Sequence, residues 1–198
     1  MTPPAPDAPG PDPMAVFARW RADAEGTPDA DVVALATAST DGRPSVRLVL
    51  LRGVTELGVR FFTNYASRKG RELAANPRAA LAWFDASRRR QVRVEGTAAE
   101  LGAAESDAYF ASRDRGHQLG AVASQQSTVL ADRAELERAY AAAAARFEGR
   151  GVARPERWGG YLLTATEVEL WIQRDDRLHD RFRYRRSAFG WSVDRLAP

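Results

Sequence analysis

Short β-type runs separated by turn signals recur along this chain, and that rhythm limits its fold more than any other feature. Residues 32–37 form one run. Ser39-Thr40-Asp41-Gly42-Arg43-Pro44 follows as a turn of the Asp-Gly kind, and residues 45–51 form the partner strand. Residues 59–63 add a third strand. Residues 79–84 and 91–96 form a hairpin around Asp85-Ala86-Ser87-Arg88, and residues 158–163 open the last strands. Short strands at this spacing predict a β-barrel or sandwich. Alternation in the second strand puts Arg47 on the face opposite Leu48 and Leu50.

Helices flank these strands. Residues 14–24, started by Asp12-Pro13, put Val16, Phe17 and Trp20 on one face. A second helix runs from Ser67 as N-cap to Asn76-Pro77. A third, over 103–113, carries Tyr109 and Arg113 one turn apart. Residues 116–130 read as polar and loop-like around Ser124-Gln125-Gln126-Ser127-Thr128. Residues 132–147 read as an alanine-rich helix with Leu136, Tyr140 and Phe147 towards the core. Residues 1–13 are too rich in proline for regular structure and read as a disordered arm, leaving 14–198 as one domain.

Composition removes several chemistries. With no cysteine there is no disulfide, thiolate site or cysteine nucleophile, and two histidines do not make a multi-histidine metal site. No run is long and apolar enough to span a bilayer, and no signal peptide is visible, so a cytoplasmic protein is expected. Lys69 is the only lysine; arginine carries nearly all the positive charge. The arginines do not form a stripe interleaved with aromatics, which argues against nucleic acid.

Two places concentrate cations. Arg68 and Lys69 occupy the first turn of the second helix, where the dipole opposes them; a bound phosphate would offset that. Near the C-terminus, residues 168–172 and 182–184 read as a hairpin turning at Arg174-Asp175-Asp176. This puts Arg177, His179, Arg181 and Arg183 on one face and Leu178, Phe182 and Tyr184 in the core. Such a face is either a solvated basic edge that blocks strand-edge pairing or a site for an anion among its guanidinium groups, and arginine suits phosphate.

Four stretches together resemble the pyridoxamine 5′-phosphate oxidase family: residues 47–52, residues 62–69, Ser124-Gln125-Gln126-Ser127 and residues 177–182. The C-terminus, residues 191–198, is similar too. The resemblance implies a mainly β fold with flanking helices, a split β-barrel homodimer with flavin mononucleotide (FMN) at the subunit interface. It implies that Arg47, Arg68 and Lys69 hold the FMN phosphate with Thr63, on a cofactor-binding segment Arg47-Leu48-Val49-Leu50-Leu51-Arg52 and beside Phe62. Gln91 meets the flavin ring, Gln126 and Ser127 close the site from the partner subunit, and Trp171 and Arg181 complete it. For the substrate it implies Tyr109 and Arg113 on a phosphate, with Arg177 and His179 over a pyridine ring as the catalytic pair. Arg52 stands where the family usually has a substrate-contacting lysine, His117 where it commonly has a phosphate-binding serine, and Phe62 where tyrosine is common. The family's basic N-terminal segment is missing.

The implied activity is oxidation of pyridoxamine or pyridoxine 5′-phosphate to pyridoxal 5′-phosphate, with molecular oxygen as acceptor and hydrogen peroxide as product. A related oxidase of a phenazine precursor is one alternative, and a non-catalytic FMN or pyridoxal phosphate binding protein is another.

Overall fold

The computed structural model describes residues 8–27 and 29–198. Helix α1 (Pro13–Asp23) is capped by Asp12, whose carboxylate accepts the Met14 N–H at 2.8 Å. It buries Met14, Val16, Phe17 and Trp20. Of the proline-rich arm, residues 1–7 lie outside the described residues. Further along, Ala8 packs on the core, and the Tyr184 hydroxyl donates to the Gly10 carbonyl at 2.8 Å.

Among the described residues, eight antiparallel strands carry the fold: β1 (Val32–Ala38), β2 (Pro44–Val54), β3 (Gly58–Asn64), β4 (Arg78–Asp85), β5 (Arg90–Glu100), β6 (Trp158–Ile172), β7 (Asp180–Ser187) and β8 (Gly190–Arg195). Their order is β3-β2-β1-β4-β5-β6-β7-β8, and β3 pairs again with β6. That last pairing, Gly58↔Thr164 through Asn64↔Trp158, closes β1 to β6 into a six-stranded barrel. The far half of β6 pairs with β7, from Glu167↔Arg185 to Ile172↔Asp180, so β7 and β8 extend the sheet beyond the barrel. Glycine permits the closure on both sides of β6. A Cβ on Gly58 would lie 1.9 Å from the Leu163 carbonyl oxygen, and one on Gly96 would lie 1.9 Å from that of Thr164.

Alternation fills the barrel. Val33, Leu35, Leu51, Phe61, Leu81, Val92, Val94, Leu163 and Leu170 are almost fully buried. Each large apolar side chain removed from water contributes about 1.5–3 kcal/mol. Phe17 of α1 closes one side against Trp83, ring centroids 5.5 Å apart. The outer face of β2 is different. Val46, Leu48 and Leu50 stay 69%, 70% and 47% exposed, and β3 pairs with β2 only from Leu51 onwards, leaving this edge open.

Among the described residues the helices are α1, α2 (Arg68–Ala75), α3 (Ala103–Ala111), α4 (Arg115–Ala123) and α5 (Arg133–Arg146). Several sequence expectations need correction. Residues 116–130 are expected to be loop-like, but Arg115–Ala123 is helical: Gly116, Gly120 and His117 hide the pattern. Helix α5 buries only Ala143, while Leu136 and Tyr140 are exposed, because α5 packs on α4 and not on the barrel. Strand β7 begins at Asp180, not Arg177. A 3₁₀ turn over Asp175–Arg177 precedes it, with Asp176 and Arg177 at φ 53° and 61°. Arg177 and His179 therefore leave the strand face, and Leu178, expected in the core, is exposed. Phe182 and Tyr184 are buried as expected.

Candidate active site

Helix α2 starts at Ser67, whose hydroxyl accepts the Gly70 N–H at 3.3 Å. Lys69 in its first turn points inward. Its Nζ donates to Gln126 Oε1 at 2.8 Å, Thr63 Oγ1 at 3.1 Å and Ser67 Oγ at 3.3 Å, all neutral acceptors. Burial, reinforced by the nearby Arg47 charge and opposed by Glu72, pushes the Lys69 pKa down to about 8.

Glu72, one turn further along α2, organises the neighbouring cations. Its Oε2 accepts from Thr37 at 2.5 Å, Ser45 at 2.6 Å and Arg47 at 3.3 Å, and its Oε1 accepts from Arg68 Nε at 2.8 Å. Burial raises its pKa, but donors from Ser45, Thr37 and Arg68 outweigh burial and hold it at about 2. Arg47 is held further by Thr37 Oγ1 at 2.5 Å and the Leu35 carbonyl at 3.2 Å. Thr37, Ser45 and Glu72 were not foreseen as site residues. The spacing of Arg68 and Glu72, one helical turn apart, was the available signal.

Lys69, Thr63, Gln126 and Arg47 border a cleft of about 610 Å³. It is lined by Arg47, Leu48, Val49, Leu50, Arg52, Phe62, Thr63, Lys69, Tyr109, Arg113, His117 and Gln126, all singled out from sequence, and by Ser112, Asp114 and Trp158, which were not. Phe62 stacks on Tyr109 with centroids 3.9 Å apart, and Trp158 lies 5.7 Å from Phe62. The Arg113 guanidinium sits 4.8 Å from the Trp158 ring centre. Its buried NH1 has no hydrogen-bond partner. Burial, opposed by Tyr109 and reinforced by the Arg52 charge, lowers the Arg113 pKa. An unpaired buried donor is costly, and an oxyanion in the cleft would satisfy it.

Not every residue singled out reaches this cleft. Leu51 turns its side chain into the barrel core. Arg68 stands to one side on Glu72. Ser127, at φ 74°, follows Gln126 in an exposed turn. Gln126, expected to arrive from the partner subunit, meets Lys69 and Thr63 of its own chain.

The remaining residues gather elsewhere, on β5, β6, β7 and the turn before β7. Gln91, Trp171 and Arg181 are cross-strand neighbours in register. The His179 ring lies 4.6 Å from that of Trp171, and its Nδ1 accepts the Arg174 N–H at 3.2 Å. The crowding expected on this face is relieved internally. Arg181 holds Glu169 with Nε–Oε1 at 2.8 Å and NH2–Oε2 at 3.1 Å, and Arg183 pairs with Asp194 at 3.1 Å. Its counter-charges are therefore carboxylates of the same sheet, and no ligand is needed to explain that face. None of Gln91, Trp171, Arg177, His179 or Arg181 borders the cleft.

No helix among the described residues is long and apolar enough to cross a membrane, and they hold no cluster of metal-ligating side chains.

Comparison with known proteins places this architecture. Residues 21–147 match the family model described as pyridoxamine 5′-phosphate oxidase, and residues 158–198 match the pyridoxine 5′-phosphate oxidase C-terminal dimerisation region. A pyridoxine/pyridoxamine 5′-phosphate oxidase from Rubrobacter xylanophilus is 51% identical, over 98% of this chain and 90% of its own. One from a Nocardioides species is 53% identical, over 95% and 89%. The solved structure of PhzG from Burkholderia lata, in complex with tetrahydrophenazine-1-carboxylic acid, has a TM-score of 0.91 at 34% identity, covering 100% of this chain and 98% of that one. The barrel, the extended sheet and these matches agree: the chain belongs to the pyridoxamine 5′-phosphate oxidase family.

Proposed function

We propose that the protein is an FMN-dependent oxidase of pyridoxamine and pyridoxine 5′-phosphate, producing pyridoxal 5′-phosphate and, with molecular oxygen, hydrogen peroxide. The observation that carries this reading is one cleft bordered by two sets of donors suited to phosphate. Lys69 and Arg47 are one set; Tyr109 and Arg113, with its unpartnered NH1, are the other. The residues fit the cofactor, because a buried ammonium bonded only to neutral acceptors suits a phosphate monoester. The flavin supplies hydride acceptance and reaction with oxygen.

The chain's own residues bind and orient. Arg47, Lys69 and Thr63 would hold the cofactor phosphate, with Arg68, paired to Glu72 beside the cleft, adding positive charge near it. Tyr109, Arg113, His117 and Arg52 would hold the substrate phosphate end, and Phe62 with Trp158 would keep that end dry. Arg177 and His179 would orient the pyridine ring, a positioning role.

The separation of Gln91, Trp171, Arg177, His179 and Arg181 from the cleft supports a site built by two chains, with FMN at their interface. The exposed Val46-Leu48-Leu50 face of β2 suits such a contact. Purified protein should be yellow, and pyridoxine 5′-phosphate should bleach it without oxygen. Protein that stays colourless after FMN is added refutes the reading. The likeness to PhzG keeps a phenazine-precursor substrate in the same assay, where turnover with that class alone would replace the B6 vitamers.

A further inference from the structure

Arg52 reaches the cleft from the end of β2, and its guanidinium lies 6.0 Å from the centre of the Tyr109 ring. Its position is set from outside the cleft. Arg52 NH1 donates to Asp31 Oδ2 at 3.0 Å, and the other oxygen of Asp31 accepts from Arg21 of α1, at 3.0 Å from Nε and 2.5 Å from NH2. Asp31 is itself fixed. Its carbonyl accepts the Leu51 N–H at 2.8 Å, and the preceding carbonyl, of Ala30, accepts the indole N–H of buried Trp83 at 2.8 Å. A second cavity, of about 500 Å³, is lined by Arg21, Asp31 and Leu50, and Leu50 also borders the cleft.

We propose that Asp31 is a positioning residue for substrate binding: it pins Arg52 at the cleft and couples it, through Arg21, to helix α1. This rests on the reading that Arg52 meets the substrate. One N–H of the guanidinium goes to Asp31, and its remaining donors are free to serve the cleft. Two arginines share one carboxylate, so the group keeps a net positive charge beside the substrate. Pinning a long side chain in advance removes the ordering penalty that a free one pays on binding, worth a few-fold to about tenfold in affinity.

Steady-state kinetics on FMN-loaded protein with pyridoxine 5′-phosphate tests this. Asp31→Asn should raise KM about three- to tenfold, with kcat within about twofold and FMN affinity unchanged, and Asp31→Glu should recover most of the loss. In an Arg52→Met background, Asp31→Asn should add nothing further. An unchanged KM in Asp31→Asn, where Arg52→Met raises it, overturns the positioning role and leaves the Arg52 reading intact. An unchanged KM in Arg52→Met overturns both. Equal effects of Asp31→Asn with and without Arg52 overturn the proposal as well, because Asp31 would then act by another route. Thermal melts of each variant separate misfolding from these outcomes, and Arg21→Gln gives a second handle. Freeing Asp31 from α1 should raise KM in the same direction, by less, and only while Arg52 is present; no rise would overturn the coupling to α1.

Discussion

Cofactor binding should report the protonation of Lys69. Its pKa in the free protein is about 8, against an ordinary 10.5, because burial and Arg47 disfavour the ammonium. The charged groups facing it are Arg47 and Glu72, and Glu72 stays ionised far below this range. A phosphate dianion against Nζ restores the ammonium and raises its pKa again. Below about pH 8 the charge is already present and FMN affinity should be flat. Above it, binding must take up a proton, so Kd should weaken by up to about tenfold per pH unit, roughly 1.4 kcal/mol each. A full return to the ordinary pKa corresponds to about 3 kcal/mol in all. Quenching of flavin fluorescence between pH 7 and 9.5 measures this, and riboflavin, which has no phosphate, controls for titration of the ring. Lys69→Met should bind FMN more weakly at pH 7 and lose the slope. A flat wild-type profile, or the same slope in Lys69→Met or with riboflavin, refutes the reasoning.

The same shift affects the free fold with a defined sign. Between about pH 8 and 10.5 the unfolded chain binds the Lys69 proton and the folded one does not, so stability should rise with pH there relative to Lys69→Met, read by urea titration. Glu72 acts in the opposite range. Its folded pKa of about 2 lies below the usual 4.5, so it stabilises above 4.5 and that contribution is lost as pH falls towards 2. Glu72→Ala should cost about 2–4 kcal/mol at pH 7, leaving Arg47 without its carboxylate and the Thr37 and Ser45 hydroxyls without their acceptor, and should remove the Glu72 share of the acid dependence. Trp158→Leu takes the ring from beneath Arg113 and should raise substrate KM by up to about tenfold with little change in FMN affinity. Mixing inactive Arg113→Ala protein with inactive Arg181→Ala protein should restore up to about a quarter of wild-type activity after subunit exchange, if each site draws on two chains. No recovery, with exchange verified by mass, would place the whole site in one chain.

Local pattern foretold most of the strands and the Lys69 corner. Period-two alternation and the Asp-Gly turn mark β1 and β2, and Ser67 caps α2 as its position in the chain suggests. Failures came where long-range contacts decide. Helix α5 shows an apolar stripe at Leu136 and Tyr140 that the fold leaves outside, because its packing partner is α4, itself invisible behind Gly116 and Gly120. Arg177 and His179 alternate like strand residues, yet two consecutive residues with positive φ end that pattern. The grouping of arginines was legible, but their carboxylate partners were not. Glu169 reaches Arg181 across β6 and β7, and Glu72 reaches Arg47 from another element. No spacing rule along one segment could have joined them.

Strand β6 has 15 residues and pairs with β3, β5 and β7. It falls in the second of the two matched regions, yet it is a stave of the first region's barrel. The gap at 148–157 is therefore a seam in primary sequence without a matching seam in the tertiary structure. Residues 1–157 expressed alone would leave β3 and β5 with raw edges on either side of an open slot, and should aggregate. Supplying residues 158–198 as a separate peptide would have to restore the barrel wall and the outer sheet in a single event.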